Sequence, residues 1–273
     1  MSVAAGGGES KIDLKQLTIY GVGGGILSIY LASILNGALD TGYFAFLAGL
    51  GVIAAILMGS EAVRTVCAYG IGTGVPSIGL MAMGMGLVVA LFGLSIATSI
   101  GFGIAGPIIG VILAMAFGYL IGLIANKVIK MNIPVMEETL MILGGAGAIT
   151  LIGLSVVIAG GFDYQLILDT VINTGYIAVI FIAGTLAILH PFNANLGPDE
   201  TQDRTLVHTI STAALAMFAA GLASLATLGS AAGVLTMLIA AIIWIWSFMW
   251  YFKLVKRDAS GVPGTGLLPP GGM

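Results

Sequence analysis

Charge is scarce in this chain. Nine Lys and Arg and 12 Asp and Glu make up 8% of its 273 residues, with two histidines and one cysteine besides. A net charge of −3 is too small to draw a nucleic-acid partner. The lone thiol, Cys67, excludes an internal disulfide and leaves too few thiols for a zinc or iron–sulfur cage. No Asp, Glu, Lys, Arg or His lies near the middle of any long apolar run, where ion pumps and proton-coupled carriers keep an ionisable group. Those interiors offer only neutral oxygens and amides, among them Asn36, Ser95, Thr98, Asn173, Thr174, Thr185, Ser211 and Thr212. An ion crossing beside this chain is therefore expected to use a carboxylate from a neighbour.

What is abundant is apolar. Hydrophobic residues make up 59% of the sequence, with 42 glycines, and the mean hydropathy is +1.12. Apolar runs of about 20 residues, enough to span a hydrocarbon core of about 30 Å, recur with short breaks. This predicts an all-α integral membrane protein of about eight spans, at residues 17–39, 43–58, 77–98, 107–126, 139–160, 171–189, 207–227 and 232–252. The domain reading is a tail at 1–16 without a signal-peptide layout, a polytopic body at 17–252, and a tail at 253–273. Charge placement supports the count. Lys11, Lys15, Arg64, Lys127, Lys130, Arg204, Lys253, Lys256 and Arg257 all fall on one side of an eight-span topology, while the other side carries only Asp40, Asp163 and Asp169. The positive-inside rule then puts both termini in the cytoplasm of a multi-pass cell-membrane protein. Trp246, Trp250, Tyr251 and Phe252 suit an aromatic belt at the last span's cytoplasmic end.

The glycines imply tight packing. Gly106, Gly110, Ala114, Gly118 and Gly122 recur every fourth residue, a groove into which a neighbouring backbone fits. Packing within the chain is the first expectation, and docking of another polypeptide of a complex the sharper one. Glycines also cluster in spans one and five, and the second and sixth connections both carry Gly, Pro, acid and Arg. Two parallel four-span halves would give that echo.

Two polar stretches stand out on the basic side. In residues 60–79, SEAVRTVCAYGIGTGVPSIG, Glu61 and Arg64 stand one helical turn apart and suit an ion pair. Gly70, Gly72, Gly74 and Pro76 then argue against regular helix and permit either a tight connection or a cradle of backbone N–H groups for an anion. Residues 190–208, HPFNANLGPDETQDRTLVH, hold both histidines, and His190 before Pro191 suggests a helix end. Arg64, Gly72, Gly74, His190, Asn193 and Arg204 form the candidate substrate-binding set. The bland alternative pairs Arg64 with Glu61 and Arg204 with Glu200. No catalytic or metal-ligating set is expected.

Taken together, YGIGTGVPSIG and HPFNANLGPDETQDRTL, with the opening MSVAAGG and KMNIP at 130–134, resemble the C subunit of the tetrahydromethanopterin S-methyltransferase complex of methanogenic archaea. The resemblance runs over nearly the whole chain. It implies a complex that moves a methyl group from methyl-tetrahydromethanopterin, through a cobamide, to the thiol of coenzyme M, and couples this to sodium export. It also implies the D and E subunits as multispan membrane partners and the A subunit as the cobamide carrier. This chain itself would then bind no cofactor, lie in the lipid bilayer, scaffold the complex, share in the sodium path and help build the coenzyme M site. Against that stand an autonomous secondary transporter and a purely structural membrane scaffold.

Overall fold

Eight helices in the computed structural model, which describes residues 11–69, 74–196, 200–229 and 231–259, are long and apolar enough to cross a membrane. They are α1 (Leu14–Leu39), α2 (Ala45–Tyr69), α3 (Gly74–Ser99), α4 (Gly106–Leu123), α5 (Met136–Ala159), α7 (Ile177–Asn195), α8 (Gln202–Leu228) and α9 (Ala231–Ala259), with a four-residue α6 (Tyr164–Ile167) between α5 and α7. The chain is an all-α multispan membrane protein. In lipid every backbone polar group must find a partner inside the protein, and a helix does this residue by residue.

The order of packing follows side-chain size. α5 is buried along nearly its whole length and serves as the axis against which α1, α2, α3, α4, α7 and α8 pack. Two halves split after α4 would set α5 apart from α2–α4, yet it packs most closely against those helices. Glycine makes the closest approaches. A Cβ on Gly86 would stand 2.5 Å from the Gly144 carbonyl oxygen, and one on Gly93 would stand 2.5 Å from Gly110 Cα. The small-residue row of α4 is spent inside the chain: Gly106 and Gly110 meet α3, while Gly118 and Gly122 meet α5. α1 differs, since Gly21 and Gly25 abut Met58 and Ile149 but Gly23 and Gly24 face open space.

Several boundaries depart from the sequence reading, each for a local reason. α2 continues through residues 59–69, because Glu61 and Arg64 are paired and buried and so do not end the helix. α3 begins at Gly74 with Pro76 in its first turn, where a missing N–H costs no helical bond. The expectation of irregular backbone fails from residue 74 onward. Gly70 and Gly72 lie outside the described residues. The sixth span is not continuous from 171. Its start is a π turn at Leu168–Ile172 and a tight turn through Gly175 at φ +84°, and the long helix begins at Ile177. That helix then passes through Pro191 to Asn195 instead of ending at His190. Proline cannot donate to the carbonyl four residues back, so Ala187 would be orphaned. Thr212 Oγ1 of α8 donates to the Ala187 oxygen at 3.0 Å and fills the gap.

The connections on the basic side are accordingly short, residues 70–73 between α2 and α3 and 196–201 between α7 and α8. Another π turn, Ile124–Val128, leads from α4 into the connection before α5. There Asn126 clamps Ile133, accepting its N–H at 2.7 Å and donating to its carbonyl at 3.1 Å. At the opposite end Gly160 caps α5 at φ +84°, and its carbonyl accepts from Asn36 Nδ2 at 3.1 Å.

Candidate functional site

The polar side chains on the basic side gather into one cap built by α2, α8, α9 and the segment before α1. Its centre is Gln202, the first residue of α8. The Gln202 amide oxygen accepts the backbone N–H of Lys11 at 2.7 Å and of Ile12 at 2.9 Å. Its amide nitrogen donates to the Ile12 carbonyl and to Glu61 Oε1, both at 2.9 Å. One uncharged side chain thus ties the N-terminal segment to α2 and α8, so residues 11–13 are held and do not trail as a free tail.

Arg64 lies below Gln202, with only 3% of its side chain exposed. Its NH1 donates to Glu61 Oε1 at 3.1 Å, and its Nε donates to the two Glu200 oxygens at 3.0 and 3.1 Å. Thr205 Oγ1 adds a 2.6 Å bond to Glu200 Oε1, and Thr209 Oγ1 donates to Ser60 Oγ at 2.8 Å one turn deeper. Buried ion pairs hold only where hydrogen bonds occupy the remaining lone pairs. One atom breaks the pattern: Glu61 Oε2 is buried and has no hydrogen-bond partner.

Arg204 stands on the other side of the first turn of α8. Its NH1 reaches Asp258 Oδ2 at 3.3 Å, which also accepts from Thr201 Oγ1 at 3.2 Å. Arg257 bonds Asp258 Oδ1 at 2.7 Å and Asp203 Oδ2 at 3.1 Å, which fastens the end of α9 to α8. Residues 253–259, beyond the last predicted span, continue α9 as helix.

A third group joins α7, α8 and α9. Asn195 donates to the Pro191 carbonyl at 2.7 Å and lies 3.3 Å from His208 Nδ1, and Tyr251 OH donates to its oxygen at 3.2 Å. With the Asn195 amide nitrogen facing it, His208 Nδ1 is an acceptor when the ring carries its proton on Nε2. The His208 ring stacks on Tyr251 with centroids 4.4 Å apart and meets His190 edge-on at 5.2 Å. Among the described residues no three His, Cys, Asp or Glu side chains converge as a metal site would require.

Of the sequence-derived candidates, the fold brings Arg64, His190 and Arg204 to one end of the molecule. Arg64 and Arg204 are buried and neutralised by carboxylates. His190 and Asn193 are exposed at the end of α7, and Gly74 opens α3 with open space beside it. Gly72 lies outside the described residues. Sequence reasoning paired Glu200 with Arg204, whereas it binds Arg64 and Arg204 turns to Asp258; it read Tyr251 only as part of an aromatic belt, and it missed Gln202, Thr205 and Asp258. Their only signal was polar residues at the edges of apolar runs. It missed Thr150 and Ser155 as well, hydroxyl residues of α5 that are fully buried at mid-helix, with side-chain oxygens that have no hydrogen-bond partner.

Residues 1–271 match the family model for the C subunit of tetrahydromethanopterin S-methyltransferase. The chain is similar to the tetrahydromethanopterin S-methyltransferase C subunit of Methanosarcina acetivorans, with 50% identity over 271 residues that cover 98% of each chain. It is 38% identical to the C subunit of Methanothermobacter thermautotrophicus over 270 residues, again 98% of each. The C subunit of Methanocaldococcus jannaschii is 33% identical over 94% of this chain and 95% of its own.

Proposed function

The chain belongs to the C-subunit family of tetrahydromethanopterin S-methyltransferase, and from that membership we propose that it is the membrane scaffold on which a sodium-translocating methyl-tetrahydromethanopterin:coenzyme M methyltransferase is assembled. The observation that carries this reading is the distribution of ionisable groups. They cluster at the two ends of the bundle, while α5, the axis of the bundle, bears only hydroxyls at mid-depth. On this reading the chain itself holds neither a cobamide nor a pterin. Those belong to partner subunits, the cobamide to the A subunit. Sodium then crosses where this chain meets the D and E subunits, with a partner's carboxylate as its ligand. The basic end faces the cytoplasm, because all nine Lys and Arg lie there. Coenzyme M approaches at that end.

The arginine part of the coenzyme M reading narrows. A sulfonate needs a donor set with charge to spare, and Arg64 and Arg204 already face carboxylates. The exposed edge at His190 and Asn193 is the better contact. The pure scaffold reading is favoured by the same pairings, and kinetics separate the two. In the assembled complex, His190→Ala and Asn193→Ala should raise the KM for coenzyme M and leave cobamide methylation unchanged. An unchanged KM in both variants would return this end of the chain to structure alone. Isolation of the chain in mild detergent without companion subunits would overturn the assembly role itself.

A further inference from the structure

We propose that Glu61 carries one bound monovalent cation, a proton or a sodium ion, at its free carboxylate oxygen between α2 and the first turn of α8. The proposal rests on the cap's geometry and not on the coenzyme M reading.

Among the described residues two acids, Glu61 and Glu200, surround one guanidinium. Their side chains are 1%, 0% and 3% exposed, so water does not offset the imbalance. Glu200 has both oxygens occupied by Arg64, and one of them by Thr205 as well. Glu61 Oε1 accepts from Arg64 and Gln202, but Oε2 is buried with no donor. Leaving a buried carboxylate half-satisfied and one charge in excess is costly, and such sites gain a counter-charge or a proton.

Among the described residues no further cationic side chain supplies that charge. All nine of its Lys and Arg lie in the described residues. Arg204 and Arg257 engage Asp258 and Asp203, and Lys127 approaches Glu137. The remaining lysines, including Lys11 beside Gln202, are exposed. A basic side chain from a neighbouring polypeptide is shut out by the 1% exposure of Glu61. A small ion remains.

A proton makes Glu61 neutral and needs no added room. Sodium keeps Oε2 as a ligand and requires further oxygens, for which the Ser60 and Thr209 hydroxyls are neighbours along α2 and α8. Both put one positive charge on the same oxygen. The groups around it are Arg64 on α2, Glu200 before α8, Gln202 and Thr205 on α8, and Lys11 at the rim.

The test is infrared spectroscopy of the purified complex at pH 7 in sodium-free choline buffer, comparing wild type with Glu61→Gln. A bound proton gives one protonated-carboxyl C=O band per chain that Glu61→Gln lacks and that added sodium chloride leaves in place. A sodium site loses that band on addition of sodium chloride and releases one proton per chain, or shifts a carboxylate band that Glu61→Gln lacks. Should Glu61→Gln fail to assemble, Glu200→Gln serves: with one acid gone, Arg64 neutralises Glu61 and the band disappears. Wild type without an acid band or any sodium-dependent carboxylate change overturns the proposal, as does a band that persists in either variant. The readout needs no turnover, so failure of the methyltransferase reading leaves it unaffected.

Discussion

Gly118 is where the packing argument is most exposed to test. A Cβ added there would lie against the Leu140 carbonyl oxygen, 2.8 Å from the Leu140 carbonyl carbon and 3.0 Å from Met141 Cα. These are backbone atoms of α5, so no rotamer change relieves the clash and the helices themselves must part. Favourable carbon contacts lie near 3.5–4.0 Å, and a gap of about 0.5–1 Å forfeits a quarter to a half of each dispersion well along a seam. Overpacking of this kind costs about 1–3 kcal/mol or more. Against it works the intrinsic gain of glycine to alanine in a helix, about 0.5–1 kcal/mol. The net for Gly118→Ala is therefore destabilising, and for Gly118→Leu more so. Gly24→Ala is the control, since nothing stands within 4 Å of its Cβ. It should be neutral or slightly stabilising. Thermal loss of helical circular dichroism in mild detergent reads both. Equal melting temperatures for Gly118→Ala and Gly24→Ala would refute the claim that α4 and α5 touch through backbone.

Two further outcomes follow from the connections and the ends. Asn126→Leu leaves the N–H and carbonyl of Ile133 without their side-chain partner, at about 1–3 kcal/mol per orphaned group, and should open the connection before α5 to trypsin at Lys127 and Lys130; an unchanged cleavage rate would contradict it. In intact cells an impermeant thiol reagent should label Asp163→Cys but not Lys256→Cys, both exposed positions, with the buried Cys67 giving no background. Labelling of the second alone would invert the topology.

The helix count was legible because hydrophobic length is a property of each stretch by itself. Where the reading slipped, a distant partner decided the outcome. Hydropathy ended the second span at residue 58, although the helix runs eleven residues further, to Tyr69. Glu61 and Arg64 stay helical because Glu200, 136 residues beyond Arg64, and Gln202 satisfy them. Pro191 read as a stop for the same reason, with the hydroxyl of Thr212 hidden from any local view. Conversely, the every-fourth-residue small side chains of α4 showed a groove, but a groove has no label for its occupant, and α3 and α5 fill it.

The motif through which the chain resembles its family can be accounted for by satisfaction of its own polar groups. In the stretch from Glu200 to Thr205, Glu200 meets Arg64, Thr201 meets Asp258, and Gln202 meets Glu61 and the backbone before α1. Asp203 then meets Arg257, Arg204 meets Asp258, and Thr205 returns to Glu200. Each residue type suits its partner, and at the buried members, Glu200, Gln202, Arg204 and Thr205, a substitution leaves a buried group to bear the full desolvation cost. A sequence signature of this density therefore does not by itself mark a ligand site. A ligand site needs capacity left over after the internal bonds are made. At this end of the molecule Glu61 Oε2 has such capacity, and so does the exposed edge at His190 and Asn193. That is why we propose the ion for the first and the approach of coenzyme M for the second.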